Sequence, residues 1–223
     1  MVNKKIIYCL IPARGGSKRI KNKNIVKIKN KPLINYSLSA ANKSGLINKI
    51  FVATNSKEIS KIVSKFKSKK IEIIKRSKRS EKDNSKTEIL INEFLRKKSC
   101  DVLVLLQTTN IFISSKYLND AIKKFLKNKF DSMLSVVNFD KFIWKKNKKN
   151  ILPINYNPNN RPRSQNFKNQ FVENGSFYIF KSKSFFNSKN RISGKVGYFN
   201  MGKESVFEID NNDDLKIVKK ILD

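Results

Sequence analysis

The sequence predicts an α/β protein built on a largely parallel sheet with helices on both faces. Short apolar runs alternate with segments of helical period from the first residues onward. The 223 residues, 39% of them hydrophobic, suffice for one or two domains with a full buried core, so a disulfide-stapled miniprotein is excluded.

The elements follow in order. Met1-Val2-Asn3-Lys4-Lys5 before an apolar run resembles a short signal peptide, but the run is brief and opens directly into Arg14-Gly15-Gly16. It is read as a buried first strand over 6–11. Further strands are expected at 50–54, 71–74 and 102–106. Between them Pro32 opens a helix running to Gly45, and Ser56 caps one ending near Phe66. Ser85 with Glu88 forms a capping box ahead of Ile89, Leu90, Phe94 and Leu95. Ser115 starts a helix with Leu118, Ile122 and Phe125 on one stripe. After the apolar run 131–137 the rhythm breaks. Residues 139–172 are polar and irregular, punctuated by Pro153, Pro158 and Pro162, as in segments that are functional or lie on a partner. Strands return at 176–180, 196–199 and 206–209, and Leu215, Val218, Ile221 and Leu222 recur at helical spacing in a closing helix. One domain, 1–223, with an inserted arm at about 139–172 is the simplest organisation.

Lysine and arginine number 49 against 17 acids, a net charge of +32. Such an excess raises nucleic acid as a partner. Only eight of the 49 are Arg, and the lysines are spread along the chain beside abundant Asn, Ile and Phe, the pattern of an A/T-biased coding sequence. The chain also lacks aromatic interleaving, an RNP-like strand or a helix-turn-helix, so a basic nucleic-acid-binding protein is the rival reading. There is no histidine, and Cys9 and Cys100 fit no metal spacing, which removes zinc sites and imidazole chemistry. Any metal must rest on carboxylates. No stretch approaches the roughly 18 apolar residues of a membrane span, and a soluble, cytoplasmic protein is expected.

Two motifs carry chemistry. Ile11-Pro12-Ala13-Arg14-Gly15-Gly16-Ser17-Lys18-Arg19-Ile20-Lys21-Asn22-Lys23-Asn24 runs from a strand end into a basic loop. Paired glycines let backbone N–H groups close on an anion, and Arg14, Lys18 and Lys23 add charge for a polyphosphate. The spacing is neither that of a Walker A loop nor Gly-x-Gly-x-x-Gly. On residues alone, a phosphate site and a plain solvated loop both stand. In Phe207-Glu208-Ile209-Asp210, period-2 alternation puts Glu208 and Asp210 on one face of a short strand, either as ligands for one hard cation or as a plain acidic surface. Asp213 and Asp214 suit the first turn of the last helix.

Residues 11–24 resemble the Ile-Pro-Ala-Arg-x-x-Ser-Lys-x-x-x-x-Lys-Asn signature of the acylneuraminate cytidylyltransferases, the CMP-sialic acid synthetases, including the legionaminate and pseudaminate branches. The likeness continues in order. Arg76 and Asp83 stand where that family has Arg-Pro and then Asp. Leu105-Leu106-Gln107-Thr108-Thr109 is similar to its Leu-Leu-Gln-Pro-Thr. Glu173-Asn174-Gly175-Ser176-Phe177-Tyr178 and Glu208-Ile209-Asp210 match its later motifs. Lys21, Ser77, Thr108 and Lys168 stand where the family has proline, which bears on loop rigidity rather than on charge. Arg19 resembles the pseudaminate branch, whereas Glu-Asn-Gly-Ser-Phe-Tyr favours the sialate and legionaminate branches.

The resemblance implies a Rossmann-like nucleotide-diphospho-sugar transferase fold and transfer of CMP from CTP to the anomeric hydroxyl of a nonulosonic acid. Pyrophosphate leaves, and the CMP-sugar serves surface glycan (lipopolysaccharide or capsule) synthesis. A pseudaminate or 3-deoxy-octulosonate enzyme is the alternative within the class. Ala13, Arg14, Gly15, Ser17, Lys18, Lys23 and Asn24 would hold the triphosphate, with Arg14, Lys23 and Asp210 catalytic. Arg76 and Thr87 would contact base or ribose; loop closure and a helix first turn are their plain alternatives. Gln107, Asn174 and Tyr178 would face the sugar acid, core packing being the alternative for Tyr178. Lys145, Arg163 and Gln165 would reach a partner's site across a homodimer. Glu208 and Asp210 would hold Mg²⁺ or Mn²⁺. Neither membrane nor nucleic acid is expected as a partner.

Overall fold

In the run Val102–Leu106 every residue is apolar and every residue is buried, the pattern of a strand covered on both faces. It lies near the middle of a seven-stranded sheet. A computed structural model describes residues 5–82, 84–166 and 170–222, so Met1 to Lys4, Asp83 and Lys168, which the sequence reading used, lie outside the described residues. In chain order the elements are β1 (Ile7–Pro12), β2 (Lys27–Ile28), β3 (Lys31–Pro32), α1 (Leu33–Lys43), β4 (Lys49–Thr54), α2 (Lys57–Ser64), β5 (Ile71–Lys75), α3 (Thr87–Lys97), β6 (Val102–Leu106), α4 (Ser115–Lys127), β7 (Ser132–Asn138), β8 (Trp144–Lys146), β9 (Ile151–Pro153), β10 (Phe171–Lys181), α5 (Ser182–Ser188), β11 (Val196–Asn200) and α6 (Asn212–Leu222).

The sheet order is β5-β4-β1-β6-β10-β7-β11. Cys9 lies opposite Ile50 on one side and Val104 on the other, both in parallel register. β10 alone runs antiparallel, pairing Ile179 with Val104 of β6 and with Met133 of β7. Its register with β7 shifts between Glu173 and Tyr178, a bulge that re-aims the strand where the motif Glu173-Asn174-Gly175 sits. The alternation predicted a strand here but gave no direction for it.

Strand alternation sends Cys9, Ile11, Val104 and Ile179 to one face, where α1, α2 and α4 cover them with Ile34, Leu38, Ile59, Leu118, Ile122 and Phe125. Leu10, Leu103, Leu105, Tyr178 and Phe180 go to the other, under Leu90, Ile91, Phe94 and Leu95 of α3. Each such side chain contributes about 1.5–3 kcal/mol by leaving water. Both cysteines are buried and free. Ser56 and Ser114 cap α2 and α4 by accepting from Ile59 N–H and Tyr117 N–H.

Three local expectations are corrected. The Ser85–Glu88 capping box does not form: Lys86 is the residue preceding α3, and Glu88 is drawn to Arg191. The strand at 206–209 is absent. Residues Lys203–Val206 form a 3-10 turn, and Ile209 N–H makes a single backbone bond, 2.9 Å to Thr109 O. No ladder follows because the Asp214 carboxylate takes the N–H groups of Asp210 and Asn211 at 2.8 and 2.9 Å and turns the chain into α6. The α1 helix stops at Lys43 rather than Gly45. Among the described residues no helix is long and apolar enough to cross a membrane.

The arm between β7 and β10 carries the β8–β9 hairpin. Asn155 stitches its base, accepting from Ile143 N–H and donating to Lys141 O and Gln170 Oε1, each at 2.8 Å. Phe142 and Trp144 meet the Tyr156 ring edge-on, and the Arg161 guanidinium lies 4.1 Å over Phe142.

Candidate active site

A cavity of about 210 Å³ opens beyond the C-terminal ends of β1 and β6, the place where open α/β sheets bind ligands. Its wall gathers Arg14, Ser17, Lys23 and Asn24 from the first loop, Arg76, Lys82 and Ser85 from the β5–α3 connection, Thr87 and Leu90 from α3, and Gln107, Thr108 and Thr109 from the end of β6.

The first loop is fixed by hydrogen bonds. Ala13, fully buried, donates its N–H to Ala53 O at 2.9 Å and so continues β1 beside β4. Gly15 N–H donates to Asn55 Oδ1 at 2.9 Å, and a Cβ on Gly15 would stand 3.1 Å from Ser56 Cβ, so glycine permits the close approach. Asn24 is buried, with Nδ2 donating to Arg14 O at 2.8 Å and Oδ1 accepting from Thr108 Oγ1 at 2.6 Å. Its amide is engaged on both sides, which makes it the clamp that closes the loop onto β6.

Two guanidinium groups share this wall. Burial first, and then the neighbouring Arg14 charge, push the Arg76 guanidinium below its ordinary range. Arg76 donates to Ser80 O, while its Nε–H is buried without an acceptor. Two like charges held together in this way favour an anion between them. Ser85 Oγ is buried and unpaired as well.

The acids lie next to this cleft. Lys23, 16% exposed, donates to Asp210 Oδ1 at 2.9 Å, and Arg19 approaches the other oxygen at 3.6 Å. Glu208 accepts from Thr109 Oγ1 at 3.2 Å and lies over Gly175, whose φ of +55° and crowded α-carbon exclude a side chain. Burial raises the Glu208 carboxyl above its ordinary range against the Thr109 hydrogen bond, and Asp210 adds to the rise. Asp210 is therefore near enough to act on Glu208 electrostatically, although the strand whose alternation was to put both acids on one face is absent. Two hard carboxylate oxygens suit a divalent cation that takes its other ligands from phosphate and water. No group of three or more acid or cysteine ligands occurs among the described residues.

The structure thus brings Arg14, Ser17, Lys23, Asn24, Arg76, Thr87 and Gln107 into one wall, with Ala13, Gly15 and Lys18 on the same loop. It places others elsewhere. Asn174 is buried, with Nδ2 2.9 Å from Ser205 Oγ, and holds the β10 bulge. Tyr178 is buried on the α3 face of the sheet, donating its hydroxyl to Glu173; burial, then that hydrogen bond, pushes the phenol up to about 12. Lys145, Arg163 and Gln165 stand exposed on the arm, outside the cleft lining. Sequence reasoning missed Lys82 and Ser85. A lysine in so lysine-rich a chain carries no signal, and Ser85 was assigned to a cap.

The cytidylyltransferase family profile matches residues 8–222. N-acylneuraminate cytidylyltransferase A of Danio rerio is 35% identical over 219 residues, 96% of this chain and 50% of that protein, so the chain spans about half the length of that relative. The post-translational flagellin modification protein B of Campylobacter coli is 30% identical over 229 residues, with 97% and 94% covered. The pseudaminic acid cytidylyltransferase of Campylobacter jejuni is 28% identical over 218 residues, with 95% and 94% covered. The structure of CMP:2-keto-3-deoxy-manno-octonic acid synthetase complexed with CTP shares the fold at a TM-score of 0.69 and 15% identity, covering 97% of this chain and 98% of that one. With the motifs in order along one sheet and the profile spanning nearly every residue, the chain belongs to the cytidylyltransferase family.

Proposed function

We propose that this protein transfers CMP from CTP to the anomeric hydroxyl of a nonulosonic acid, forming the CMP-sugar and releasing pyrophosphate. The observation that carries the reading is the single wall joining Arg14, Lys23, Arg76, Thr87 and Gln107. In-line displacement at the α-phosphorus needs positioning and charge neutralisation more than covalent help. Arg14, Ser17, Lys18 and Lys23 orient the triphosphate, and Arg14 and Lys23 offset charge on the departing pyrophosphate. Arg76 and Thr87 face base and ribose. Gln107 faces the sugar acid. Glu208 and Asp210 would hold Mg²⁺ or Mn²⁺, which supplies Lewis-acid stabilisation of phosphate oxygens and a lowered hydroxyl pKa. In a chain without histidine, the base role toward the attacking hydroxyl would fall to the metal or to Asp210.

The exposed Lys145 and Arg163 do not reach their own cleft, and the arm around them shows Ile151, Leu152 and Ile154 at 61%, 53% and 58% exposure. We read this arm as covering a second copy and completing its sugar site in a cytoplasmic homodimer. The reading is tested by pyrophosphate release from CTP with N-acetylneuraminate, legionaminate, pseudaminate and octulosonate. Turnover with at least one nine-carbon acid is expected; none, together with steep salt-dependent binding to arbitrary duplex DNA, would establish the nucleic-acid alternative. The pseudaminic acid relative is matched over nearly its whole length, which favours pseudaminate as the second candidate acid.

A further inference from the structure

A row of charged and aromatic groups is joined to the cleft wall through Leu90 and Thr87 without itself lining it. Tyr178 lies opposite Leu105, two residues before Gln107, and strand alternation sends Tyr178, Leu105 and Gln107 to the same face. Leu90 of α3 belongs both to the packing around Tyr178 and to the cleft wall. Over the Tyr178 ring, 4.5 Å from its centre, lies the Arg191 guanidinium, which pairs through Nη1 with Glu88, the neighbour of the cleft residue Thr87.

The turn that presents Arg191 is pinned from every side. Asn190 Oδ1 accepts from Ile192 N–H at 3.0 Å, Ser193 N–H donates to Ser132 Oγ at 2.9 Å, and Lys195 N–H donates to Asp131 Oδ2 at 2.9 Å. Gly194, at φ +65°, packs against Asp131 where a side chain would collide. Such anchoring holds a long side chain in one place at low entropic cost. Arg191 and Glu88 remain 23% and 24% exposed, so the pair is not sealed in the core. The protein's own acceptors do not complete the guanidinium fork: the Arg191 Nε–H is buried without a partner, and a ligand would meet the part of the side chain that stays exposed. Ser176 Oγ, beside Gln107 through the 3.0 Å bond from Gln107 N–H to Ser176 O, is buried and unpaired too.

Building on the proposed transfer reaction, we propose that Arg191 is a specificity-determining residue for the sugar acid. Oriented by Glu88 and the Tyr178 ring, it donates to an acceptor oxygen, an acylamino carbonyl or a hydroxyl, on the part of the acid remote from the carbon that takes CMP. The acid is thereby required to be polar at that position. Sites that hydrogen-bond a substrate group discriminate strongly against substrates that lack it.

The test uses the full chain, CTP and the nine-carbon acids N-acetylneuraminate, legionaminate and pseudaminate. Arg191→Gln is expected to raise the KM for the preferred acid about tenfold, with the KM for CTP held within roughly twofold. Arg191→Lys, which keeps charge and stem but loses the fork and the stacking, moves the same quantity in the same direction and carries the test if the Gln variant does not fold. A KM for the acid that rises less than roughly threefold in the folded variants, or a KM for CTP that rises in parallel, overturns the inference alone. A wild-type protein that turns over CTP with no nine-carbon acid, legionaminate included, overturns it together with the reading of the site.

Discussion

The cleft and the arm are held in contrasting ways. Around the cleft the chain binds itself: Asn24 joins Arg14 to Thr108, Asn55 joins Gly15 to Glu81, and Lys23 joins the first loop to Asp210. In the arm a hairpin of two three-residue strands, one asparagine and a small aromatic cluster hold a segment whose large apolar side chains face solvent. A region whose loops are clamped to one another while Arg76 Nε–H and Ser85 Oγ are left buried and unpaired is set for a polar ligand, whereas one that leaves Ile151 and Leu152 in water is shaped for an outside surface.

The strongest way to sharpen this contrast is at Asp210. Asp210→Asn should lower CTP turnover by at least about a hundredfold, the scale of the several kcal/mol a catalytic metal supplies, with the fold retained and stability lowered by about 1 kcal/mol or less as Lys23 and Arg19 lose their charged partner. Near wild-type turnover with Mg²⁺, measured by pyrophosphate release, would remove the metal assignment. Next come Arg14→Ala and Lys23→Ala, each expected to cut kcat/KM for CTP at least tenfold, about 1.4 kcal/mol. The exposed Lys21 is the control on the same loop, and if Lys21→Ala does equal damage the loop's register against the nucleotide is wrong.

The arm is tested by mixing. Asp210→Asn and Arg163→Ala subunits, each inactive alone, should regain about a quarter of wild-type activity after random exchange, since half the dimers then hold one intact composite site of two. A monomer by sedimentation, or no recovery despite proven exchange, would break the comparison, because the arm would then serve no neighbour.

The smallest effect is expected at Asp131, which lies in neither region. Its carboxyl is held below its ordinary range, first by the Lys181 hydrogen bond and then by Lys195 N–H. A lowered folded-state pKa stabilises above the ordinary carboxylate range and is lost as pH falls through the lowered value. Asp131→Asn should therefore reduce the melting temperature by about 2 °C or less near neutral pH, and the difference should close on acidification.

The contrast also explains what was legible in sequence. Cleft residues lie within short contiguous motifs whose local geometry decides their placement, so Arg14, Lys23, Arg76 and Gln107 were found from spacing and resemblance. Ser85 was misread because the partner that removes Glu88 from a capping box is Arg191, 103 positions away. The strand expected at 206–209 gave way to the 3-10 turn Lys203–Val206 on one side and, on the other, to the Asp214 carboxylate, which takes the N–H groups of Asp210 and Asn211 just beyond it. The direction of β10 was invisible because apolar runs read the same in parallel and antiparallel strands when both faces are buried. The order of the arm depends on Asn155 reaching Lys141 and Gln170, pairings that no periodicity records.

The antiparallel β10 has a consequence for how the chain is made. β7 pairs only with β10 and β11, both later in the sequence, and one edge of β6 is covered only by β10. A ribosome that has delivered residues 1–150 therefore holds a nascent chain with a wholly apolar edge at Val102–Leu106 and an unpaired β7, the species in which strand edges recruit other chains. The middle of the sheet closes when residues 171–181 thread between two strands already made, and β11 joins β7 afterwards. Synthesis speed through the lysine- and asparagine-rich arm thus sets how long that edge stays open.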